Sequence, residues 1–215
     1  PTYTTGRFGK GGDFERDSSQ YLGIADASCP NLEISGSQTW SAWIKAESFS
    51  TYNVVMSKRS SWSSRRARQI DILPNGTAML RFNSNDIVAQ SAAGTIQTGN
   101  WYHLVGVYNS TAHTLTLFVN GVSVGSVTST ATLKDTDGAF RIGAQAESGE
   151  YFDGIIDDVA IWNRALTDAE VLGLYTGGQD LRFSSDASGS TQLAHEVVNW
   201  DIVNDKAEVW VKIPT

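Results

Sequence analysis

Residues 152–178 read FDGIIDDVAIWNRALTDAEVLGLYTGG and contain the clearest strand and the clearest helix of the chain. The apolar side chains in the first half are too dense for a half-solvated strand, which indicates a strand inside a larger sheet assembly. Thr167 precedes Glu170 by three residues, the spacing of a capping box, and two glycines close the stretch. The sequence therefore predicts a buried strand followed by one short helix near residues 167–175.

The chain before this stretch reads as short apolar segments separated by turn residues. Asn120-Gly121 lies between two such segments and is the strongest signal for a two-residue type I′ hairpin. Pro74-Asn75-Gly76 predicts another turn, with glycine supplying the positive φ. Roughly ten short strands and a single helix describe an all-β fold, an antiparallel β-sandwich or jelly roll.

Composition limits the classes of partner. The 215 residues contain 16 Lys plus Arg and 23 Asp plus Glu, and the net charge of -7 disfavours nucleic acid and anionic membranes. The single cysteine, Cys29, cannot form an intrachain disulfide. No run approaches the roughly 18 apolar residues of a membrane span, so we expect no membrane insertion. Because the chain begins at Pro1, we expect it to be a piece of a larger protein.

Five sequence blocks carry a family resemblance, and together they run from residue 1 to about 176. They resemble the laminin-G-like modules of the concanavalin A-like lectin/glucanase jelly-roll superfamily, which implies that residues 1–176 form one such module. The superfamily includes lectins, adhesion modules, carbohydrate-binding modules, glycanases and lyases, so the fold does not decide the function. The blocks are Gly6–Phe14, Trp40–Lys45, Trp101–Tyr108, Leu117–Gly121 and Phe152–Thr167.

Residues 177–215 differ in kind and resemble the opening of a bacterial domain of unknown function that is often found beside laminin-G-like modules in exported proteins. So short a segment seldom buries enough apolar surface to fold alone. We expect it to pack on the module as a partial β segment, or to be exchanged between two chains in a homodimer. The side chains expected to make the packing contact are Phe183, Trp200, Val209 and Val211.

A catalytic role is not predicted. Glycanases of the superfamily place carboxylates at alternate positions of one strand, where they flank the sugar bond. The nearest segment here has Asp71, but Gln69 and Leu73 occupy the alternate positions on either side. His103 lies in an apolar strand, where a hydrogen-bonded structural histidine is the simpler interpretation. Cys29 has no identifiable base.

The segment from Ser57 to Arg68 predicts a long basic loop with an aromatic tip. Trp62 could stack on a sugar ring, and Arg65 and Arg66 could bind the carboxylate or sulfate of an acidic polysaccharide. A solvated loop without a ligand is the alternative. Two further aromatic side chains are weaker candidates for the same ligand, Tyr52 and Tyr151.

These observations predict a non-catalytic carbohydrate-binding or adhesion module of a larger exported bacterial protein. We expect it to be secreted or cell-surface, with a glycan and the neighbouring domains of the parent chain as partners. A structural β-sandwich spacer without its own ligand is the alternative. A glycanase or lyase with an unrecognised site is the third possibility.

The acidic residues need an explanation of their own. In modules that resemble this one, the first and last strands lie side by side, which would bring Glu15 and Asp17 near Asp157. Carboxylates buried among apolar neighbours are costly, and calcium accepts six to eight such oxygens. The resemblance thus implies a structural calcium ion at these three residues. The chain has Phe14-Glu15-Arg16 where the family has Phe-Asp-Gly, a departure that weighs against Glu15 as a ligand. The alternative is that Asp158 and Asp153 pair with Arg164 or Arg7, or are simply solvated.

Overall fold

A computed structural model describes residues 1–59, 67–83, 86–134, 138–145 and 149–176, together with the backbone of four short strands between residues 183 and 211. The chain forms two compact units, Pro1–Val171 and Leu172–Thr215. The strands of the first unit are β1 (Thr2–Thr5), β2 (Lys10–Phe14), β3 (Leu22–Ile24), β4 (Gln38–Ala46), β5 (Asn53–Arg59), β6 (Ala67–Ile72), β7 (Ala78–Phe82), β8 (Ile87–Gln90), β9 (Tyr102–Asn109), β10 (Thr114–Val119), β11 (Val122–Thr128), β12 (Phe140–Ile142) and β13 (Gly154–Trp162), and helix α1 (Asp168–Thr176) follows them.

The strands form two antiparallel sheets. One sheet has seven strands in the order β1-β2-β13-β4-β9-β10-β11, and the other has six in the order β3-β12-β5-β6-β7-β8. Alternate side chains of each sheet, such as Trp40, Ile44, Leu80 and Phe82, form the shared apolar core. Burial of these side chains between the sheets is the main stabilising contribution. The predicted all-β jelly-roll sandwich is confirmed, and β13 lies between β2 and β4.

The predicted capping box starts α1. The Thr167 backbone N–H donates to Glu170 Oε2 at 2.8 Å, and the Glu170 N–H donates to Thr167 Oγ1 at 3.3 Å. The Arg164 side chain, together with the two Thr167 donors, lowers the pKa of Glu170 to about 2. These local contacts explain why sequence spacing alone located the helix.

The hairpin at Asn120-Gly121 is also confirmed. Both residues have positive φ, 52° and 77°, and Val119 pairs with Val122 across the turn. The Asn120 side chain accepts a hydrogen bond from the His103 N–H at 2.8 Å, which ties the turn to β9. A type I′ turn requires positive φ at both central residues, and Asn-Gly tolerates it best.

The predicted basic loop from Ser57 to Arg68 is wrong at both ends. Its first three residues belong to β5, its last two belong to β6, and Lys58 is buried. The Lys58 ammonium pairs with Asp26 and Glu33 and donates to Gly138 O at 3.0 Å. Burial acts to lower the pKa of Lys58, but these two carboxylates outweigh it and raise the pKa. Partners that are distant in the sequence therefore stabilise a buried lysine within a strand of the sheet.

In the part of the second unit that the structure describes, the strands form two short antiparallel pairs. Strand β14 (Phe183–Ser184) pairs with β15 (Gln192–Leu193), and β16 (His195–Asp201) pairs with β17 (Lys206–Val211). The side chains expected to pack on the module lie outside the described residues, so packing and strand exchange stay predictions. Within the described residues, no helix has the length and apolar character needed to cross a membrane.

Candidate functional site

The outer face of the six-stranded sheet is polar. Along β6 the core-facing residues Ile70 and Ile72 alternate with Gln69 and Asp71, which therefore point away from the core. The strand register places Gln69 opposite Ser57 of β5 and opposite Arg81 of β7. Because cross-strand partners share a face, polar side chains form a row across the sheet.

This row continues onto β12 and into the loop after it. Arg141 is the cross-strand partner of Ser57, and its Nη1 donates to Gln145 O at 3.0 Å. Three arginines and two carboxylates give the cluster a charge of +1, on a chain whose net charge is -7. We call the following set the polar face: Ser57, Arg59, Gln69, Asp71, Arg81, Arg141, Gln145 and Glu150.

Hydrogen bonds connect these side chains into a network. Arg59 Nη1 donates to Gln145 Oε1 and lies 3.4 Å from Gln69 Oε1. Gln69 Nε2 donates to Asp71 Oδ2 at 2.7 Å, and the same oxygen forms an ion pair with Arg81. The Gln145 amide also donates to Glu150. Guanidinium, amide and carboxylate groups thus converge on the outer side of the six-stranded sheet.

Burial changes the electrostatics of this network. Arg59, Asp71 and Arg81 are 3%, 0% and 6% exposed. Burial lowers the pKa of Arg81 and raises the pKa of Glu150, while the charges of Arg81 and Arg59 oppose the shift of Glu150. Charges removed from water cost several kcal/mol unless paired, and such perturbed clusters are typical of functional sites.

Two of the predicted sugar-binding rings lie beside this network. The Arg81 guanidinium carbon is 5.5 Å from the centroid of the Tyr52 ring. Tyr151 lies 6.5 Å from the ring of Tyr21, over which the Arg141 guanidinium sits at 4.5 Å. The structure therefore brings Tyr52 and Tyr151 to the polar face, and their role in binding stays a prediction.

The other predicted sugar-binding residues lie outside the described residues. Trp62, Arg65 and Arg66 belong to the segment that connects Arg59 at the end of β5 with Ala67 at the start of β6. In chain order this segment therefore leaves and re-enters the sheet next to the polar face. Binding by these three side chains stays a prediction.

Sequence reasoning missed most residues of the polar face. It assigned Arg59 to a loop and did not select Arg81, Arg141, Gln145 or Glu150. One signal was present, because polar residues alternate with apolar ones in the Gln69–Ile72 part of β6 and in the Leu80–Phe82 part of β7. That alternation identifies an outward face, but strand order decides which outward residues become neighbours.

Asp71 has the surroundings that the sequence suggested. Its same-face neighbour on β6 is Gln69, with which it shares a hydrogen bond, and its other partner is Arg81. An acid–nucleophile pair needs two carboxylates on opposite sides of a sugar bond. In the described part of β6, Asp71 therefore has an amide and a guanidinium as neighbours rather than a second carboxylate.

The residues expected to bind calcium are separated by the strand register. Strands β2 and β13 pair, but Phe14 faces Gly154 and Gly12 faces Ile156. Glu15 follows Phe14 and therefore lies toward Asp153. Asp157 follows Ile156 and therefore lies at the opposite end of the paired segment. Asp17 belongs to a short 3-10 helix, Arg16–Ser18, that follows β2.

Asp157 has other partners for its carboxylate. Oδ2 accepts the Phe8 N–H at 2.9 Å, and Oδ1 accepts the Asp158 N–H at 2.9 Å. These bonds offset the cost of burying a side chain that is 8% exposed. Over the described part of the chain, no group of three or more His, Cys, Asp or Glu side chains could hold a metal ion. Asp157, Asp17 and Glu15 as placed do not fit a shared ion, and calcium binding stays a prediction.

Three solved structures illustrate the fold similarity. Domain 4 of AbnA, an extracellular arabinanase from Geobacillus stearothermophilus in complex with arabinotriose, has a TM-score of 0.60 and 22% identity, covering 81% of this chain and 80% of that one. The Ruminococcus gnavus IT-sialidase CBM40 bound to alpha2,3 sialyllactose has a TM-score of 0.61 and 14% identity, covering 77% of this chain and 96% of that one. The binding domain of Paraclostridial Mosquitocidal Protein 1 has a TM-score of 0.67 and 12% identity, covering 98% of this chain and 56% of that one.

The sequence itself gives the family assignment. No curated protein matches the chain. A family model described as the concanavalin A-like lectin/glucanases superfamily matches residues 16–172, which is most of the chain and nearly all of the sandwich. With the two antiparallel sheets described above, this match shows that the chain belongs to the concanavalin A-like lectin/glucanase superfamily.

Proposed function

We propose that this chain is a non-catalytic carbohydrate-binding module and that its polar face binds an acidic glycan. The observation that carries the proposal is the set of three arginines, Arg59, Arg81 and Arg141, on one face of the sheet. A guanidinium group presents a planar fork of donors that matches carboxylate and sulfate groups. The local charge of +1 on an acidic chain favours an anionic ligand in the same way.

The similar structures support a sugar as the ligand class. One was solved with arabinotriose, and another with sialyllactose, an acidic sugar. Tyr52 and Tyr151 would supply rings beside the arginines, and Trp62, Arg65 and Arg66 would contribute from the segment between β5 and β6. Aromatic rings commonly line sugar sites, while a few polar groups fix the orientation of the ligand.

The proposal extends to the biological setting. The chain would serve as a glycan-binding or adhesion module within a larger exported bacterial protein, secreted or at the cell surface. Its neighbouring domains would supply any catalytic activity.

A structural spacer is the second candidate, and one observation favours it. Asp71 pairs with Arg81, and Gln145 and Gln69 contact Arg59, so the arginines already have partners within the chain. A network that served only stability would show no affinity for any sugar. Binding measurements therefore separate the two candidates.

The test is affinity electrophoresis of the whole chain in gels that contain polygalacturonate, sulfated dextran or neutral arabinan. Calorimetry with sialyllactose and lactose gives the matched comparison in solution. We expect the acidic ligands to bind and the neutral ones to bind at least tenfold more weakly. Loss of one charge-assisted contact is worth about 1.5–3 kcal/mol, or roughly 10- to 100-fold in affinity.

Two variants and one control assign the binding to the polar face. Arg141→Gln removes one guanidinium at a half-buried position, and Arg81→Lys keeps the charge next to Asp71 but loses the fork. Arg164→Gln is the control, because Arg164 is an exposed arginine that pairs with Glu170 instead. We expect both polar-face variants to weaken acidic binding and the control to match the wild type. Equal binding by all four proteins would assign the ligand to another surface, and no binding to any polymer would favour the spacer.

A further inference from the structure

A second polar cluster surrounds the side chain of Arg16, just after β2, and includes none of the eight residues defined as the polar face. Its guanidinium is largely withdrawn from solvent, with the side chain 12% exposed. The partners come from two distant parts of the chain, the loop between β4 and β5 and the segment that enters β13. Every partner is an oxygen atom, as the following contacts show.

The β4–β5 loop supplies most of the oxygens. Arg16 Nη1 donates to Ser48 Oγ at 2.8 Å and to Ser50 Oγ. Nη2 donates to Asn53 Oδ1 at 2.9 Å and to the Ser48 carbonyl at 3.4 Å. On the other side Nε donates to the Tyr151 carbonyl at 3.4 Å. Hydroxyl, amide and carbonyl oxygens thus converge on a single cationic group.

Asp153 supplies the negative charge of the cluster. Its Oδ2 lies 3.9 Å from Arg16 Nη1 and accepts the Ser48 hydroxyl at 2.7 Å, while Oδ1 accepts the Arg16 N–H at 3.3 Å. The Asp153 N–H donates to Asn53 Oδ1 at 3.1 Å, and the Asp153 carbonyl accepts the Glu47 N–H at 2.8 Å. The same oxygens that hold Arg16 therefore hold the two segments together.

Other carboxylates surround this cluster. Burial raises the pKa of Glu47, and the charges of Asp13, Glu15 and Asp153 raise it further. Several negative groups therefore lie within electrostatic reach of one another at this end of the sheet. Without a positive charge their repulsion would oppose the joining of the β4–β5 loop to β13.

We propose that the Arg16 guanidinium supplies the positive charge of this oxygen cluster and holds its oxygens together, as a structural metal ion would. Calcium accepts neutral oxygens together with a carboxylate as ligands. A guanidinium can bind the same oxygens, and it cannot dissociate because it is part of the chain. Calcium bound elsewhere, near Asp157, is a different hypothesis, and the same experiment separates the two.

The inference has a specific consequence. Removal of the Arg16 side chain should leave the oxygens of Ser48, Ser50, Asn53, Tyr151 and Asp153 around a space large enough for an ion. The protein should then lose stability and gain a response to calcium larger than that of the wild type. With one carboxylate in the set, we expect a weak site, with a Kd of about 1 mM.

The experiment is thermal unfolding of the whole chain, treated with EDTA and then measured with and without 10 mM calcium. The proteins are the wild type, Arg16→Gly, the double variant Arg16→Gly with Asp153→Asn, and the control Arg164→Gly. Magnesium and sodium salts at equal ionic strength separate site binding from screening. Calorimetric titration of Arg16→Gly with calcium gives a readout that does not depend on unfolding.

We expect Arg164→Gly to respond to calcium as the wild type does, so that any ion bound near Asp157 cancels from the comparison. Arg16→Gly should melt about 5–10 °C lower and regain several degrees in calcium only, because an ion that binds the folded state stabilises it. The double variant should gain no more from calcium than the wild type does. An Arg16→Gly protein that melts like the wild type, or that calcium stabilises no more than it stabilises the wild type, overturns the proposal.

A second variant covers the case in which Arg16→Gly does not fold. Arg16→Lys keeps the positive charge, so it should fold, melt somewhat below the wild type and respond to calcium no more than the wild type does. A larger calcium response for Arg16→Lys than for the wild type would overturn the proposal as well.

Discussion

His103 shows how a single buried side chain makes stability depend on pH. It is 2% exposed, its Nε2 lies 2.8 Å from Ser41 Oγ, and its ring stacks on Trp43 with centroids 5.0 Å apart. Burial lowers its pKa to about 4, from an ordinary value of 6.5. The predicted structural histidine is confirmed by this hydrogen bond.

The first prediction concerns the pH dependence of unfolding. Because the folded pKa lies below the unfolded one, the unfolded chain binds more protons between pH 6.5 and 4. The contribution of His103 is therefore complete above pH 6.5 and is lost as pH falls toward 4. The loss amounts to about 3 kcal/mol. We expect the free energy of unfolding, measured in urea, to fall across this window.

His103→Gln isolates this contribution. Glutamine can still hydrogen-bond Ser41 but does not titrate, so the variant should lose less stability than the wild type between pH 6.5 and 4.5. His113→Asn is the matched control, because His113 is exposed and has a φ of 54°, which asparagine tolerates. Identical pH profiles for His103→Gln and the wild type would refute the assignment.

At the scale of elements, the contact between β11 and β8 joins the edges of the two sheets. Gly125 makes this contact possible, since a Cβ at this position would overlap the Gln90 carbonyl oxygen and lie 3.0 Å from the Gln90 nitrogen. The obstacle is backbone, which cannot swing aside as a long side chain could. The glycine is therefore required by close packing rather than by φ.

The second prediction follows from this contact. Gly125→Ala should push β11 away from β8 and lower the free energy of unfolding by about 2 kcal/mol. Gly36→Ala is the control, because a Cβ there would meet nothing within 4 Å. Denaturant unfolding of the two variants measures the difference, and equal stabilities would mean that the sheet edges separate at no cost.

At the scale of the whole molecule, the charge is unevenly distributed. The chain carries a net charge of -7, whereas the polar face carries +1. If the polar face binds the glycan, an acidic polymer would meet a local positive charge on a chain that is acidic as a whole. Salt screens such charge interactions, with a Debye length of about 10 Å at 0.1 M.

The third prediction uses this asymmetry. If the arginines of the polar face make direct charge-assisted contacts, affinity for polygalacturonate should fall about tenfold between 50 and 500 mM NaCl. Affinity for any neutral oligosaccharide should stay constant. The measurement is affinity electrophoresis at each salt concentration, and an acidic ligand whose binding ignored salt would contradict a charge-based site.

Local signals in the sequence predicted much of the fold. Thr167 and Glu170 are three residues apart, and Asn120 and Gly121 are adjacent, so their contacts need no knowledge of the rest of the chain. The alternation of apolar and polar residues located the strands, because the two faces of a sheet meet different surroundings. The loop prediction for Ser57–Arg68 was wrong because it used only local signals. Charged residues predict a loop unless their partners, which are distant in sequence, are known.

By itself, the sequence determined the all-β class, the helix position, most of the strand positions, the tight turns and the superfamily. Only the tertiary structure decided the candidate sites, because their residues are far apart in the chain. Arg59 meets Gln145 across 86 positions, and the Arg16 N–H meets Asp153 across 137. Strand order and register set such contacts, and a shift by one residue would turn each side chain to the opposite face.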